Sequence, residues 1–292
     1  MTAHTGSIAE KVQSAFPKVI KAPLTGPDGL KTPWYGLWRM DTYGAVGPGS
    51  VSARYQPHTS EDVVALVEAA EAVFGETADV QCGFRHGHFV TLQPSLDREQ
   101  RLSIYRNDTV FPRLLIHAPY GSTFKASVGL FRIACSNLYT LKQVEGVSVT
   151  IRHSFGLRSR MDELIADFSI LGGAWDALTA RIKQMDAVRV KVADFLDSIY
   201  GQPDEKSSRS LTMHKGRTEA IITRLARERV AADRPMGSLH EASAWECFNL
   251  IQGYVQHEKP RKGKVSQIDR AILADADPDV RRAEALLMSM AV

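Results

Sequence analysis

The sequence has no run approaching the roughly 18 consecutive apolar residues that a membrane-spanning helix requires. Its opening, MTAHTGSIAEKVQSAF, lacks the apolar core of a signal peptide, so a cytoplasmic protein with no membrane partner is expected. Cysteine is scarce. Cys82, Cys135 and Cys247 are far apart and odd in number, which argues against a disulfide framework or a paired-cysteine zinc site and for three reduced, mostly buried thiols. Four catalytic signatures are also missing: the phosphate-binding G-x-x-x-x-G-K-[ST] loop, the dinucleotide G-x-G-x-x-G, the G-x-S-x-G nucleophile turn and the zinc-protease H-E-x-x-H. Nucleotide hydrolysis and zinc proteolysis therefore lose their usual support, and no cofactor is expected.

Acidic residues are scarce in one region. Between Arg101 and Arg160 only Asp108 and Glu145 oppose nine bases, a local charge of +7 in a chain whose total is +3. The stretch from Glu61 to Asp79 is the reverse, with six acids and no base. Such asymmetry points to a basic surface that faces a polyanion, unless the cations scatter over several faces.

Ordinary globular proportions, 44% hydrophobic and 24% charged, leave the fold to be read from periodicity. Residues 1–58 are punctuated by Pro and Gly and read as an irregular arm, with Trp34, Tyr35, Trp38 and Tyr43 available to pack on a core edge or to stack on bases. Residues 59–200 read as an α+β core. Thr59 or Ser60 caps a helix whose Val63, Leu66, Val67, Ala70, Val73 and Phe74 recur at helical spacing. VQCGFRHGHFVTL predicts a hairpin around His86-Gly87, with Phe84 opposite Phe89 and Cys82 opposite Thr91. Further strands are expected over Phe111–Ala118, in TFKASVGLFRIAC and in VSVTIRHSF. In TFKASVGLFRIAC a bulge at Gly129 would bring Lys125 and Arg132 to one side, and the clean alternation of VSVTIRHSF exposes Arg152.

Beyond Arg160 the pattern turns helical. Leu164 to Met185 describes one long helix, or two joined near Gly172-Gly173. More helices are expected at Val190–Tyr200, Thr218–Arg229, Ala242–His257 (with Ser238 and Glu241 as a capping box), Gln267–Ala274 and near the C-terminus. GQPDEKSSRS at 201–210 is the linker candidate, followed by a helical region over 211–292. The expected class is α+β: an antiparallel sheet with a packed helix in the first half, helices in the second.

His86-x-His88 has the spacing of a metal pair, but a turn residue and a strand residue need not converge, and no third ligand is near. His153 falls on an apolar strand face, as a core histidine would, and His117 fits either a core or a site. Pro203-Asp204-Glu205-Lys206 has the composition of a nuclease carboxylate-lysine cluster but sits in a polar loop with no strand before it. The constellation that remains is Lys125, Arg132, Lys142, Arg152, Arg158 and Arg160, cations suited to phosphate contacts that ignore base identity. Tyr120, Tyr139 and Phe155 are candidates for stacking on unpaired bases.

The segments SVSARYQPHTSEDV, VFPRLLIHAPYGSTFKASVGLFRIACSNLY and VSVTIRHSFGLRSRMDELI resemble the phage/plasmid-like family of unknown function. Its pattern is an RY-type opening, a C-x-N segment (Cys135-Ser136-Asn137) and an R-H element (Arg152-His153) before a long helix. The order of a helix ending in Phe74-Gly75, a hairpin, a strand and a helix is similar to the core of single-strand annealing proteins of the RecT, Redβ and Erf type. That likeness implies ATP-independent annealing of single-stranded DNA by a homo-oligomeric ring or filament, with a phage exonuclease as partner. The expected function is therefore sequence-tolerant DNA binding in phage or plasmid recombination. The alternatives are a DNA-processing enzyme, either a nuclease or a nucleotide-modifying activity, and a protein-binding phage factor that antagonises host defence.

Overall fold

In the computed structural model of the chain, the described residues are 8–16, 18–47, 49–74, 77–84, 88–94, 102–121, 123–132, 134, 137–139, 148–152, 157–261, 270, 274 and 276–290. Within some elements only the backbone path is described. The chain divides into two compact units, each assembled from three segments. The fold class is α+β, with antiparallel sheets in the first half and helices in the second.

The first unit holds residues 1–96, 113–128 and 146–174. Residues 1–58, expected as an irregular arm, instead form a short helix α1 (Ile8–Ala15) and a three-stranded antiparallel sheet of β1 (Val19–Thr25), β2 (Lys31–Arg39) and β3 (Val51–Ser52), in that order. The prolines and glycines mark its turns and irregularities rather than preventing strands. Gly29, with φ +77°, closes the 26–30 turn, and Pro33 stands beside the register shift between Pro23 and Thr25, where a missing N–H is tolerated. One face of this sheet supplies Leu37 and Val51 to a core with Val46, Tyr55 and Tyr120.

Helix α2 (Ser60–Phe74) starts where expected. The Thr59 Oγ1 accepts from the Asp62 N–H at 3.2 Å, and the Asp62 carboxylate accepts from the Thr59 N–H at 2.8 Å. Val63, Leu66 and Val67 are its buried stripe.

A seven-stranded sheet contains β4 (Thr77–Phe84), β5 (His88–Pro94), β6 (Leu102–Tyr105), β7 (Asp108–Ala118), β8 (Thr123–Arg132), β9 (Asn137–Tyr139) and β10 (Ser148–Arg152). Its order is β10-β8-β7-β5-β4, with β6 also on β7 and β9 also on β8. The β4–β5 hairpin exists, but its register is one residue from the expected one. Phe84 pairs with His88 and Gly83 with Phe89, rather than Phe84 with Phe89, and the expected His86-Gly87 turn lies outside the described residues.

The second unit holds residues 97–112, 129–145 and 175–292. Helix α3 (Leu157–Ala187) is one helix of 31 residues that runs through Gly172-Gly173 without interruption. Its Leu178, Ile182 and Met185 are buried. It is followed by α4 (Val192–Tyr200), α5 (Ser208–Ala231), α6 (Ala244–Gly253) and α7 (Pro278–Met290), with a two-stranded ladder of β11 (Arg189–Lys191) and β12 (Glu241–Ser243). All ten residues of α6 are buried, so it is the central helix of this unit. The chain continues from α6 into a π turn, Tyr254–Glu258.

Two expectations change here. The 201–210 stretch is no domain linker, because both flanks belong to the second unit and Ser207 caps α5 by accepting from the Ser210 N–H. The capping box of α6 is Ser243 with Glu246, not Ser238 with Glu241, since Glu241–Ser243 is drawn into the β11 ladder and the helix begins after it. The helix expected at Gln267–Ala274 lies outside the described residues except for Arg270 and Ala274, both helical.

Candidate nucleic-acid interface

Strands β8 and β10 pair antiparallel over five positions: Ser127 with Ser148, Ala126 with Val149, Lys125 with Thr150, Phe124 with Ile151 and Thr123 with Arg152. Partners in such a ladder share a face, and faces alternate along each strand. Thr123, Lys125, Ser127, Ser148, Thr150 and Arg152 therefore occupy one face, where Thr123 is exposed, and Phe124, Ala126, Val149 and Ile151 occupy the other. Lys125 and Arg152 are diagonal neighbours across the pair, roughly 7–8 Å apart at the backbone, with hydroxyl residues between them.

Arg158 and Arg160 lie in the first turn of α3, which contains no acid. Cations at a helix N-terminus oppose the macrodipole, an arrangement that a bound anion would relieve. Lys125, Arg152, Arg158 and Arg160 all belong to the first unit. Lys142 and Phe155 lie outside the described residues, as do His86 and His153.

Arg132 does not join them. It was expected on the same exposed face as Lys125, yet it is 1% exposed and belongs to the second unit. Its Nε and Nη2 donate to the two Asp108 carboxylate oxygens at 2.5 and 2.9 Å, and its Nη1 donates to Glu228 at 2.5 Å. Trp245 lies beside the guanidinium, 5.9 Å from the ring centre. The physical reason is charge. Asp108 is fully buried, where a carboxylate needs a cation or hydrogen-bond donors in contact, and Arg132 is placed to supply both. Tyr120 is likewise withdrawn from a stacking role, buried in the first unit's core and stacked on His58 at 4.5 Å.

The ion pair is part of a chain of alternating charge that the sequence did not reveal. Glu258 pairs with Arg224, Arg224 with Glu228, Glu228 with Arg132, Arg132 with Asp108, Asp108 with Arg234, and Arg234 with Asp186. The Ser243 hydroxyl donates to Asp186 at 2.8 Å while accepting from the Glu246 N–H. Burial works against ionisation of Glu246, but hydrogen bonds from Arg229 and from the Ser243 N–H outweigh it and hold this carboxyl below its usual range. Only the Arg224–Glu228 link, at i,i+4 on one helix, has a local signature. The others join residues from 24 to 126 positions apart.

A pocket of about 420 Å³ opens at the Arg234 end, lined by Tyr105, Asp186, Arg189, Arg234, Glu241 and Glu246, among others. Arg234 lies over the Tyr105 ring at 5.2 Å. Among the described residues no group of three or more His, Cys, Asp or Glu side chains is arranged to hold a metal ion. Burial pushes the Cys247 thiol up to about 12, so it stays protonated and unreactive. Pro203-Asp204-Glu205-Lys206 is a loop, in which Asp204 accepts from the Lys206 N–H. No helix of the described residues is long and apolar enough to cross a membrane.

Comparison with curated proteins and with solved structures finds no match. The family model of a domain of unknown function, DUF932, matches residues 48–287, which include the β8–β10 ladder, the start of α3 and the buried charge chain. The chain therefore belongs to the DUF932 family.

Proposed function

We propose that the chain binds single-stranded DNA without regard to sequence, through phosphate contacts from Lys125, Arg152, Arg158 and Arg160. The observation that supports this is the β8–β10 register, in which Lys125 and Arg152 hold diagonal positions of the same face. Arg132 is removed from the set because its guanidinium is already committed to Asp108 and Glu228. The proposed setting is annealing in phage or plasmid recombination, with no ATP requirement, alongside an exonuclease. Strands β4 and β10 end the described strand order, and pairing of such edges between copies is the route proposed to a ring or filament.

A salt-titrated binding assay on mixed-sequence single strands tests the reading. Four phosphates neutralised on a single strand give a slope of log K against log salt of roughly −3, and Lys125→Ala with Arg152→Ala should make it shallower by about 1.4. A folded double variant with wild-type affinity and slope would sink the assignment. Light scattering that finds a monomer with and without DNA would remove the annealing part.

A DNA-processing enzyme is the second reading, favoured by the carboxylates of Asp186, Glu241 and Glu246 around the pocket. Two of these three already accept hydrogen bonds, Asp186 from Ser243 and Glu246 from Arg229. Mg²⁺-dependent loss of a labelled strand, abolished by changing one of these acids, would move the assignment to the enzyme.

A further inference from the structure

The three-stranded sheet of the first unit has a second face, away from Leu37, that the core does not use. Ile20 pairs with Trp38 and Ala22 with Gly36, while Trp34 pairs with Ser52 on the other side of β2. Ladder alternation therefore gives Ile20, Ala22, Trp34, Gly36 and Trp38 one common face. Trp34 is 51% exposed, unusual for an indole, and Ile20 beside Trp38 is also exposed. The reason for a glycine at position 36 is visible here. A Cβ would stand 2.8 Å from the Trp38 Nε1, 3.1 Å from its Cε2 and 3.1 Å from a Leu24 methyl carbon. The Trp38 indole lies across the Gly36 backbone, and a side chain there would force it off the sheet.

The chemistry of this face selects its occupant. Residues 18–55 contain five bases and two acids, a local charge of +3 that equals the charge of the whole chain. Arg39 is paired with Asp41, and Lys21 donates to the Ala53 and Tyr55 carbonyls. Lys18, two residues before Ile20 and near Glu61, and Arg54, two residues after Ser52, are exposed on the Trp38 side, whereas Lys31, also exposed, has the parity of Tyr35 and Leu37 and belongs to the opposite face. Flat aromatic area bordered by cations is what unpaired bases on a phosphate chain require: stacking is open to every base, and the cations answer the backbone.

We infer that the Trp34–Gly36–Trp38 face is a stacking platform for unpaired nucleobases. The inference rests on the proposal that the chain binds single-stranded DNA, and adds a base-dependent contribution on a different sheet of the same unit. Stacking there is expected to favour single over double strands, a discrimination that phosphate contacts from Lys125 and Arg152 do not provide.

The test compares the full chain's affinity for an oligothymidylate with its affinity for an abasic oligomer of the same phosphate number. The wild type should favour the thymidylate roughly ten-fold per stacked indole, with quenching of indole fluorescence. Trp34→Ala should reduce that preference about ten-fold and leave the salt slope unchanged, and Trp34→Phe should retain most of it. Trp34 is half exposed, so this variant should fold, and Trp38→Ala is the second reading where it also folds.

A preference unchanged in Trp34→Ala overturns the platform, as does an equal loss on both oligomers. So does loss of self-association in Trp34→Ala with the preference intact, which would make the face an interface between copies of the chain. The two proposals separate cleanly. If Lys125→Ala with Arg152→Ala keeps the wild-type slope while Trp34→Ala collapses the preference, the cationic ladder fails and the platform stands. The converse pair of results sinks the platform alone, and a wild type that binds neither oligomer sinks both.

Discussion

Replacing Arg132 with alanine removes the central cation of the buried charge chain, and the structure sets the size of the effect. The guanidinium makes three charge-assisted hydrogen bonds, two to Asp108 and one to Glu228, with 1% of its surface exposed. Breaking a buried pair by removing one partner costs about 3–5 kcal/mol, because the remaining charge is left without compensation. Here the loss should lie near the lower limit, about 3 kcal/mol, since Arg234 still holds Asp108 and Arg224 still holds Glu228. Arg132→Lys should recover only part, because an ammonium is a point charge that cannot present the forked donor set facing two carboxylates.

Urea denaturation followed by circular dichroism measures these differences. The same variants, in the folded fraction, should bind single-stranded DNA with the wild-type salt slope. A stability loss under about 1 kcal/mol together with a slope shallower by about 0.7 would refute the reasoning, because it is the pattern of an exposed arginine on a phosphate.

Two further outcomes follow from the second unit. Ser243→Ala removes both an N-cap acceptor and the donor to Asp186, and should lower stability by about 1–3 kcal/mol in the same denaturation assay, with Ser243→Thr recovering most of it. Burial, and then Arg224 and Arg270, push His257 down from 6.5 to about 4, so the unfolded state binds the extra proton between these values. Stability from this residue should be complete above pH 6.5 and decline as pH falls toward 4, by no more than about 1–2 kcal/mol after allowance for its partial exposure, and His257→Gln should flatten that part of the pH profile.

What was legible in the sequence was local. The Thr59–Asp62 cap, the spacing of Val63, Leu66 and Val67 and the alternation of Val149 to Arg152 depend on neighbours within one element, and each element formed where that pattern put it. The β4–β5 register came out one residue from the expected one, because alternation gives each strand its faces but not the pairing between strands. The start of α6 was misplaced because Ser238 and Glu241 have the capping spacing, while the pairing of Glu241–Ser243 with β11 depends on a strand about fifty residues earlier. Arg132 failed for the same reason at longer range. A strand pattern gives a face, but Glu228, which fixes the arginine's use, is 96 residues away. Of the candidate interface, the Lys125 and Arg152 positions were legible from alternation, whereas the glycine floor beneath Trp38 needed coordinates.

The division of the chain has a consequence for genetics. The backbone passes from one unit to the other five times, at 96/97, 112/113, 128/129, 145/146 and 174/175, twice in the middle of a strand and once within α3. No single contiguous fragment encodes either unit. Truncation series, two-hybrid fragments and domain swaps that cut the reading frame anywhere between residues 97 and 174 would sever both units at once and report loss of folding as loss of function. Recombination between relatives meets the same constraint, since a crossover inside β7, β8 or α3 mixes parental sequence in both units. Separating whatever these units do requires point substitutions in the intact chain.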